Sequence, residues 1–371
     1  MKVLRTIGIA AAALVVVLLT TLAIPIETWR TGDQRLAPLT FAPAGGAPDL
    51  PQRLWIDTDA ACGHGRRTDA DDCLAIALLA RTADIRIVGI STVFGNAPRE
   101  AVDRTTAELV ARLSTDLGQG PPVYSGSPGP LTQDGPTPRP AAHAALIAAL
   151  EKGQLTVVAL GPLTNLAAVL AERPALASRV ARLVAVMGRR PGHVFHPAEG
   201  VGAGSYFGHG PVFRDFNFAM DIRAAALIVG AHLPLSLIPY DAARGIEITP
   251  GDLDRIAASG GAGAWVAERA RGWLDYWQED IGRSGFLPFD LLAAAYVIEP
   301  RRFRCASVTA SVGRDPTLFI PFWRPTALLV AQDGVRFEEP EAIGAALYCA
   351  KVGAGLKPDL LERFFGARHR T

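Results

Sequence analysis

From residue 52 onward, short apolar runs alternate with stretches of helical spacing, and the polar residues that break the pattern fall just after the runs. Leu54-Trp55-Ile56, Arg86 to Val93, Thr156 to Leu160, Leu183 to Val186 and Leu235 to Ile238 read as strands. Cys73 to Ala80, Arg99 to Leu113, Asn165 to Ala171 and Ile222 to Gly230 read as helices. Nearly continuous apolar strands must be covered on both faces, and strands alternating with helices can supply that cover. The pattern therefore predicts an α/β fold, an open and mostly parallel sheet with helices on both faces. Asp57 and Asp59 follow the first strand, Gly95-Asn96 the second, Gly161-Pro162-Leu163-Thr164-Asn165 the third and Met187-Gly188 the fourth. In an open parallel sheet these loops share the carboxyl edge, where ligands bind.

The N-terminus stands apart from this pattern. Lys2 and Arg5 precede an uncharged stretch from Ile7 to Ile26, which as a helix would be about 30 Å long, the thickness of a bilayer core. Residues 1–30 are expected to be a signal anchor or a signal peptide, a transmembrane or signal helix ahead of the domain. The other reading is a core helix buried on all sides. The positive-inside rule then puts Lys2 and Arg5 in the cytoplasm and the rest outside it, periplasmic or extracellular: tethered to the membrane through residues 7–26, or secreted if the segment is cleaved. Pro38, Pro43, Pro48, Gly45 and Gly46 mark residues 31–50 as a linker, leaving 51–371 as the catalytic domain. Lys+Arg of 37 against Asp+Glu of 36 gives a net charge of +1. That balance, without a basic run, excludes nucleic acid as a partner. The four cysteines Cys62, Cys73, Cys305 and Cys349 permit two disulfides in an oxidising compartment, in three pairings, or four buried free thiols.

Five carboxylates, Asp57, Asp59, Asp69, Asp71 and Asp72, lie between the first strand and the first helix. Like charges gathered so closely need a cation, and hard oxygen ligands suit Ca²⁺ or Mg²⁺ rather than zinc. Helix capping accounts for Asp69 or Asp71 but leaves Asp57 and Asp59 unexplained. Far along the chain, Asp290 heads an otherwise apolar helix in Gly285-Phe286-Leu287-Pro288-Phe289-Asp290, where a lone Asp is usually an N-cap.

With these segments together, the chain resembles the inosine-uridine preferring nucleoside hydrolases, calcium-dependent nucleoside N-ribohydrolases of Rossmann-like fold, from about residue 53 to about residue 300. Asp57-Thr58-Asp59 and Asp71-Asp72 are similar to the two halves of that family's Asp-rich motif. Phe94-Gly95-Asn96, Gly161-Pro162-Leu163-Thr164-Asn165, Val186-Met187-Gly188, Asp215-Phe216-Asn217-Phe218 and Asp290 follow in family order. The resemblance implies Ca²⁺ held by Asp59, Asp72, Asp290 and the Leu160 carbonyl, with Asp59 also taking a proton from the attacking water. It assigns Asp71, Asn96, Asp215 and Asn217 to the ribose hydroxyls and Met187 to the sugar. The implied activity is hydrolysis of a ribonucleoside to free base and ribose, of use in purine salvage, by a homodimer or homotetramer.

Two departures matter. About ten extra residues, Ala61 to Ala70, separate the halves of the Asp-rich motif. They form either a lid, which could bring Arg66 or Arg67 to a phosphate, or a solvated loop closed by a Cys62–Cys73 bridge. Phe289 stands where many members carry a His that helps the base leave. Phe cannot donate a proton but can stack on a purine, so a purine preference is expected, with Phe289 in the substrate site. Trp273, Tyr276 and Trp277 would add stacking or pack the core, and His193, His196 and His209 are alternative proton donors or solvated loop residues. The alternative function is a non-catalytic ribonucleoside- or ribose-binding protein on the same fold. A phosphohydrolase of the haloacid dehalogenase type fails for want of its later Lys and acid pair.

Overall fold

In chain order the strands are β1 (Ala42–Pro43), β2 (Gln52–Thr58), β3 (Ile85–Thr92), β4 (Val123–Tyr124), β5 (Leu155–Ala159), β6 (Val180–Ala185), β7 (Leu235–Leu237), β8 (Phe303–Arg314), β9 (Thr326–Gln332) and β10 (Ala342–Val352). The computed structural model describes residues 11–16, 38–45, 52–132, 139–193, 215–315, 325–332 and 340–365. Its ten strands form one sheet in the order β1-β8-β10-β7-β6-β5-β2-β3-β4, with β9 paired to β8. Pairing is parallel from β10 across to β4 and antiparallel among β1, β8, β9 and β10.

Burial explains the two halves. Every residue of β5 is buried, as a strand covered on both faces must be. The helices Asp71–Arg81, Phe289–Ile298 and Gly261–Asp275 are largely buried against one another. β10 instead alternates between buried and exposed residues over much of its length, the signature of a sheet with one face toward solvent. The antiparallel end was not among the strands expected from the sequence.

Chain order reverses between β2 and β5: β3 and β4 run outward on one side of β2, and β5, β6 and β7 on the other. This is the switch point at which α/β sheets open a crevice at the carboxyl ends of the strands. Backbone hydrogen bonds carry the register past the strand ends. Val93 N donates to Thr58 O at 2.9 Å, Leu160 N to Asp57 O at 2.8 Å, and Ile238 N to Ala185 O at 2.9 Å. The loops that follow start from a rigid edge.

Residues 38–45 fall inside the stretch expected as a linker, yet they belong to the fold. Ala42 and Pro43 pair with Cys305 and Arg304, Ala44 N donates to Phe303 O at 2.8 Å, and Leu39 and Ala44 are buried. Proline is tolerated there because the strand lies at an edge. Residues 11–16 are helical and exposed. Among the described residues no helix is long and apolar enough to cross a membrane; the rest of the expected 7–26 anchor lies outside the described residues. Of the three cysteine pairings left open, the fold takes Cys62–Cys73 and Cys305–Cys349. The second joins β8 to β10, and no cysteine is free.

Candidate active site

Two helices begin where β2 ends. Asp71 and Asp72 open Asp71–Arg81, and Asp290 sits in the first turn of Phe289–Ile298. Both N-termini present the positive end of the helix dipole to the carboxylates. Asp290 N donates to Asp71 Oδ2 at 2.7 Å, locking the helix starts together across 219 residues of sequence. Asp69 Oδ1 accepts from Asp71 N at 3.1 Å, and Thr58 Oγ1 donates to Asp72 Oδ1.

Carboxylate oxygens of the buried residues Asp71, Asp72 and Asp290 lie within 4.8 Å of one another. Asp59 stands beside this trio. Its Oδ2 accepts from Asn96 N at 2.8 Å, while the Asn96 side-chain amide donates to Asp72 Oδ2 at 3.2 Å. A Cβ on Gly95 would come within 1.9 Å of Asp59 Oδ2, so a glycine is required before Asn96. Asp59 Oδ1, Asp71 Oδ1 and Asp290 Oδ1 are buried without a hydrogen-bond partner. Buried polar atoms are rarely left this way.

The electrostatics agree with the geometry. Burial first, then the charge of Asp72, pushes Asp59 well above the usual carboxylate range. Burial, then the charges of Asp71 and Asp72, does the same to Asp290. Asp71 and Asp72 are each pushed up to about 6, chiefly by burial. Four acids held in this way cannot all ionise without an added positive charge. The orphaned oxygens and all-oxygen donor set fit a hard divalent cation.

Behind the cluster, Asp57 Oδ1 accepts from Ser91 Oγ and from Asn165 Nδ2, each at 2.7 Å. Asn165 also donates to Thr92 O at 2.9 Å and accepts from Ser127 N at 2.9 Å. Thr58, Ser91 and Asn165 are thus the supports of the acidic motif. Their roles were missed because each is defined by a partner far away in sequence.

The other expected site residues line the same edge. The Leu160 carbonyl, expected as a cation ligand, accepts from Asn217 Nδ2 at 2.6 Å. The same amide reaches Val186 O at 3.1 Å. Asp215 Oδ2 accepts from Gly188 N at 2.6 Å, and burial pushes Asp215 up to about 6. Met187, which lies between Val186 and Gly188 in sequence, is buried. Phe289 is half-buried and tilts against Trp277, ring centroids 6.4 Å apart. Trp273 stacks on Tyr276 at 5.2 Å and meets Trp277 edge-on at 5.8 Å. All three are buried, and Trp277 backs Phe289.

The insert Ala61–Ala70 is tied down at both ends. The Cys62–Cys73 bridge joins it to the residue after Asp72. Arg66 pairs with Glu279 and, at 3.2 Å, with Asp280; the Arg67 guanidinium lies 5.3 Å from the Tyr276 ring centroid. Of the two arginines suggested as phosphate ligands, Arg66 is engaged by acids and Arg67 lies over the Tyr276 ring. His193 is buried in the loop after β6; His196 and His209 lie outside the described residues.

A parallel sheet with a cation-ready carboxylate cluster at its switch point, flanked by amide and aromatic side chains, defines a class of α/β hydrolytic enzyme. The family model for the inosine-uridine preferring nucleoside hydrolases matches residues 54–322, and the chain belongs to that family. It is a hydrolase acting on N-glycosyl compounds. It is 26% identical over 274 residues to the pyrimidine-specific ribonucleoside hydrolase RihB of Escherichia coli (strain SE11), covering 67% of this chain and 79% of the relative. The RihB of Shigella sonnei matches to the same extent. Among solved structures, a plant nucleoside hydrolase superposes with a TM-score of 0.64 at 19% identity, covering 85% of this chain and 99% of the other. A purine-preferring ribonucleoside hydrolase from Gardnerella vaginalis gives 0.61 at 20% identity, covering 85% and 97%. These two likenesses carry the fold.

Proposed function

We propose that this chain hydrolyses a purine ribonucleoside to free base and ribose, with Ca²⁺ in the acidic cluster. The observation that carries the reading is the set of orphaned, buried oxygens on Asp59, Asp71 and Asp290. A divalent cation there would orient the attacking water, lower its pKa and clamp the sugar diol. Asp71, Asp72 and Asp290 would hold the cation. Asp59 is the base that takes the water proton: it lies beside the trio, fixed by Asn96 N, with one oxygen uncommitted. Asp215 and Asn217 face the ribose hydroxyls, and Met187 the sugar. N-glycosidic cleavage passes through an oxocarbenium-like state, which nearby carboxylates stabilise.

Phe289 supports the purine preference, since a half-buried ring braced by Trp277 offers a flat surface. The RihB relatives are pyrimidine-specific by name, so the two preferences compete. The two disulfides favour a domain working outside the cytoplasm. The test is to incubate the full chain with inosine, adenosine, guanosine, uridine and cytidine, with and without a chelator, and chromatograph for free base. The reading expects purine release that stops on chelation. Uridine cleaved as well as or better than inosine contradicts the stacking argument.

A further inference from the structure

A second polar network lies on the same edge, two strands beyond Leu160. His193 is buried and hydrogen-bonded through both ring nitrogens. Nε2 meets the Tyr240 hydroxyl, and Nδ1 lies 3.3 Å from Asp241 Oδ2. Asp241 Oδ2 also accepts from the Tyr348 hydroxyl at 2.7 Å. Burial pushes Asp241 up, but the hydrogen bonds of His193 and Tyr348 and the charges of His193 and Arg244 outweigh it and hold its carboxyl below the usual range. The loop that carries the ring is held as well. Arg189 pairs with buried Asp315, Gly192 N donates to Asp315 Oδ2 at 2.9 Å, and Arg189 Nη1 reaches His193 O at 3.4 Å.

The placement is informative. Tyr240 starts the short helix Tyr240–Ala243 directly after β7; it and Asp241 are half-buried, while His193 and Tyr348 are buried. The neighbouring strand β6 leads into Met187 and into Gly188, whose N–H holds Asp215. The Tyr240–Ala243 helix packs against the helix that begins at Phe289. The acidic cluster lies over β2, and Tyr240 lies across β5 and β6 from it. Water attacking C1′ from the side opposite the departing base is served by a proton acceptor and a proton donor at opposite ends of one crevice.

We infer that Tyr240 hands a proton to the departing base, with His193 and Asp241 as positioning residues behind it; this rests on the hydrolase reading above. The C1′–N bond breaks and its electron pair goes to the base, which takes the Tyr240 proton. Protonated His193 restores the phenol from Nε2 while the Asp241 carboxylate holds Nδ1–H. At the other end the water oxygen bonds to C1′ and its second proton passes to Asp59. Exchange with solvent returns a proton to His193. A Phe at position 289 is then no obstacle, since the donor comes from another element.

The test compares inosine with 4-nitrophenyl β-D-ribofuranoside, whose leaving group departs without protonation. Tyr240→Phe in the full chain should lower kcat on inosine by about 100-fold, the scale of a lost general acid, and by at least about tenfold less on the nitrophenyl riboside. His193→Gln and Asp241→Asn should show the same split with smaller losses, which a merely structural role would not produce. Equal losses on both substrates overturn the inference. If Tyr240→Phe does not fold, the unsubstituted protein answers through a series of ribosides of rising leaving-group pKa. A shallow dependence of kcat is expected, and a steep one overturns it. A wild-type chain that cleaves none of these ribosides overturns the hydrolase reading itself, a result distinct from any split between substrates.

Discussion

The two ends of the crevice hold desolvated acids in opposite states. At the β2 end, Asp59, Asp71, Asp72 and Asp290 are all pushed above the usual carboxylate range, burial being the first cause of each. At the β7 end Asp241, half-buried, is pushed up by burial too, yet it is held below that range by His193, Tyr348 and Arg244. Burial is common to both, so burial alone does not distinguish them. The difference is whether the protein supplies the compensating charge and donors itself. Asp241 is completed by side chains of the same chain, whereas the β2 cluster leaves oxygens on Asp59, Asp71 and Asp290 unmatched.

The comparison can be broken by removing the members of either end. The largest effect is expected at the shared ligands: Asp72→Asn or Asp290→Asn should abolish measurable base release, on the order of 10³-fold or more, and blunt the response of Tm to added calcium. Base release close to wild type from a folded Asp290→Asn protein would remove the cluster from the reaction. Asp59→Asn should cut kcat by at least about 100-fold, the scale of a lost general base, while calcium still raises Tm. Near-normal turnover at full metal content would take Asp59 out of the base role.

Smaller effects sharpen the picture at the rim. Cys62→Ser with Cys73→Ser should lower stability by at most roughly 3 kcal/mol, since the bridge closes a short loop. It should loosen the insert beside Asp72 and so raise KM for nucleoside. An unchanged melting curve in urea would show that the bridge is dispensable. Phe289→Ala should weaken purine binding by about 1 kcal/mol, roughly fivefold in KM, and leave the pH–rate profile unshifted because no titrating group is lost. A shifted profile would show that Phe289 acts on the acids and not on the base.

Much of this was legible in the sequence, and the limits have physical causes. β2 and β5 stand out as apolar runs because both faces of a parallel strand are covered, and Asp57, Asp59 and Asn96 stand out because they follow such runs. β8 and β10 escaped notice because antiparallel pairing permits alternation with polar residues, a weaker signal; β9 is a short apolar run, and alternation does not explain why it escaped. The sequence did not show that the carboxylates of Asp71, Asp72 and Asp290 come together, whichever of them meets the metal and whichever the sugar. That grouping depends on the Asp290 N–H reaching Asp71, a contact that no local pattern encodes. Tyr240 and Asp241 went unmarked for the same reason; they gain meaning beside His193, which arrives from the β6 loop.

The proposed function requires a cation at the β2 cluster. A carboxyl whose folded pKa is raised contributes stability that is fully present below its unfolded value and lost as pH rises through the folded one. Asp71 and Asp72 near 6 and Asp57 near 7, against an ordinary 3.8, set that window between about pH 4 and pH 7. The most direct measurement is Tm of the chelator-stripped chain at pH 5 and pH 8, each with and without added Ca²⁺. The account predicts a stripped protein that melts lower at pH 8 than at pH 5, and a calcium-induced rise that is much larger at pH 8. A verified metal-free protein whose Tm is the same at both pH values and unmoved by calcium would contradict it.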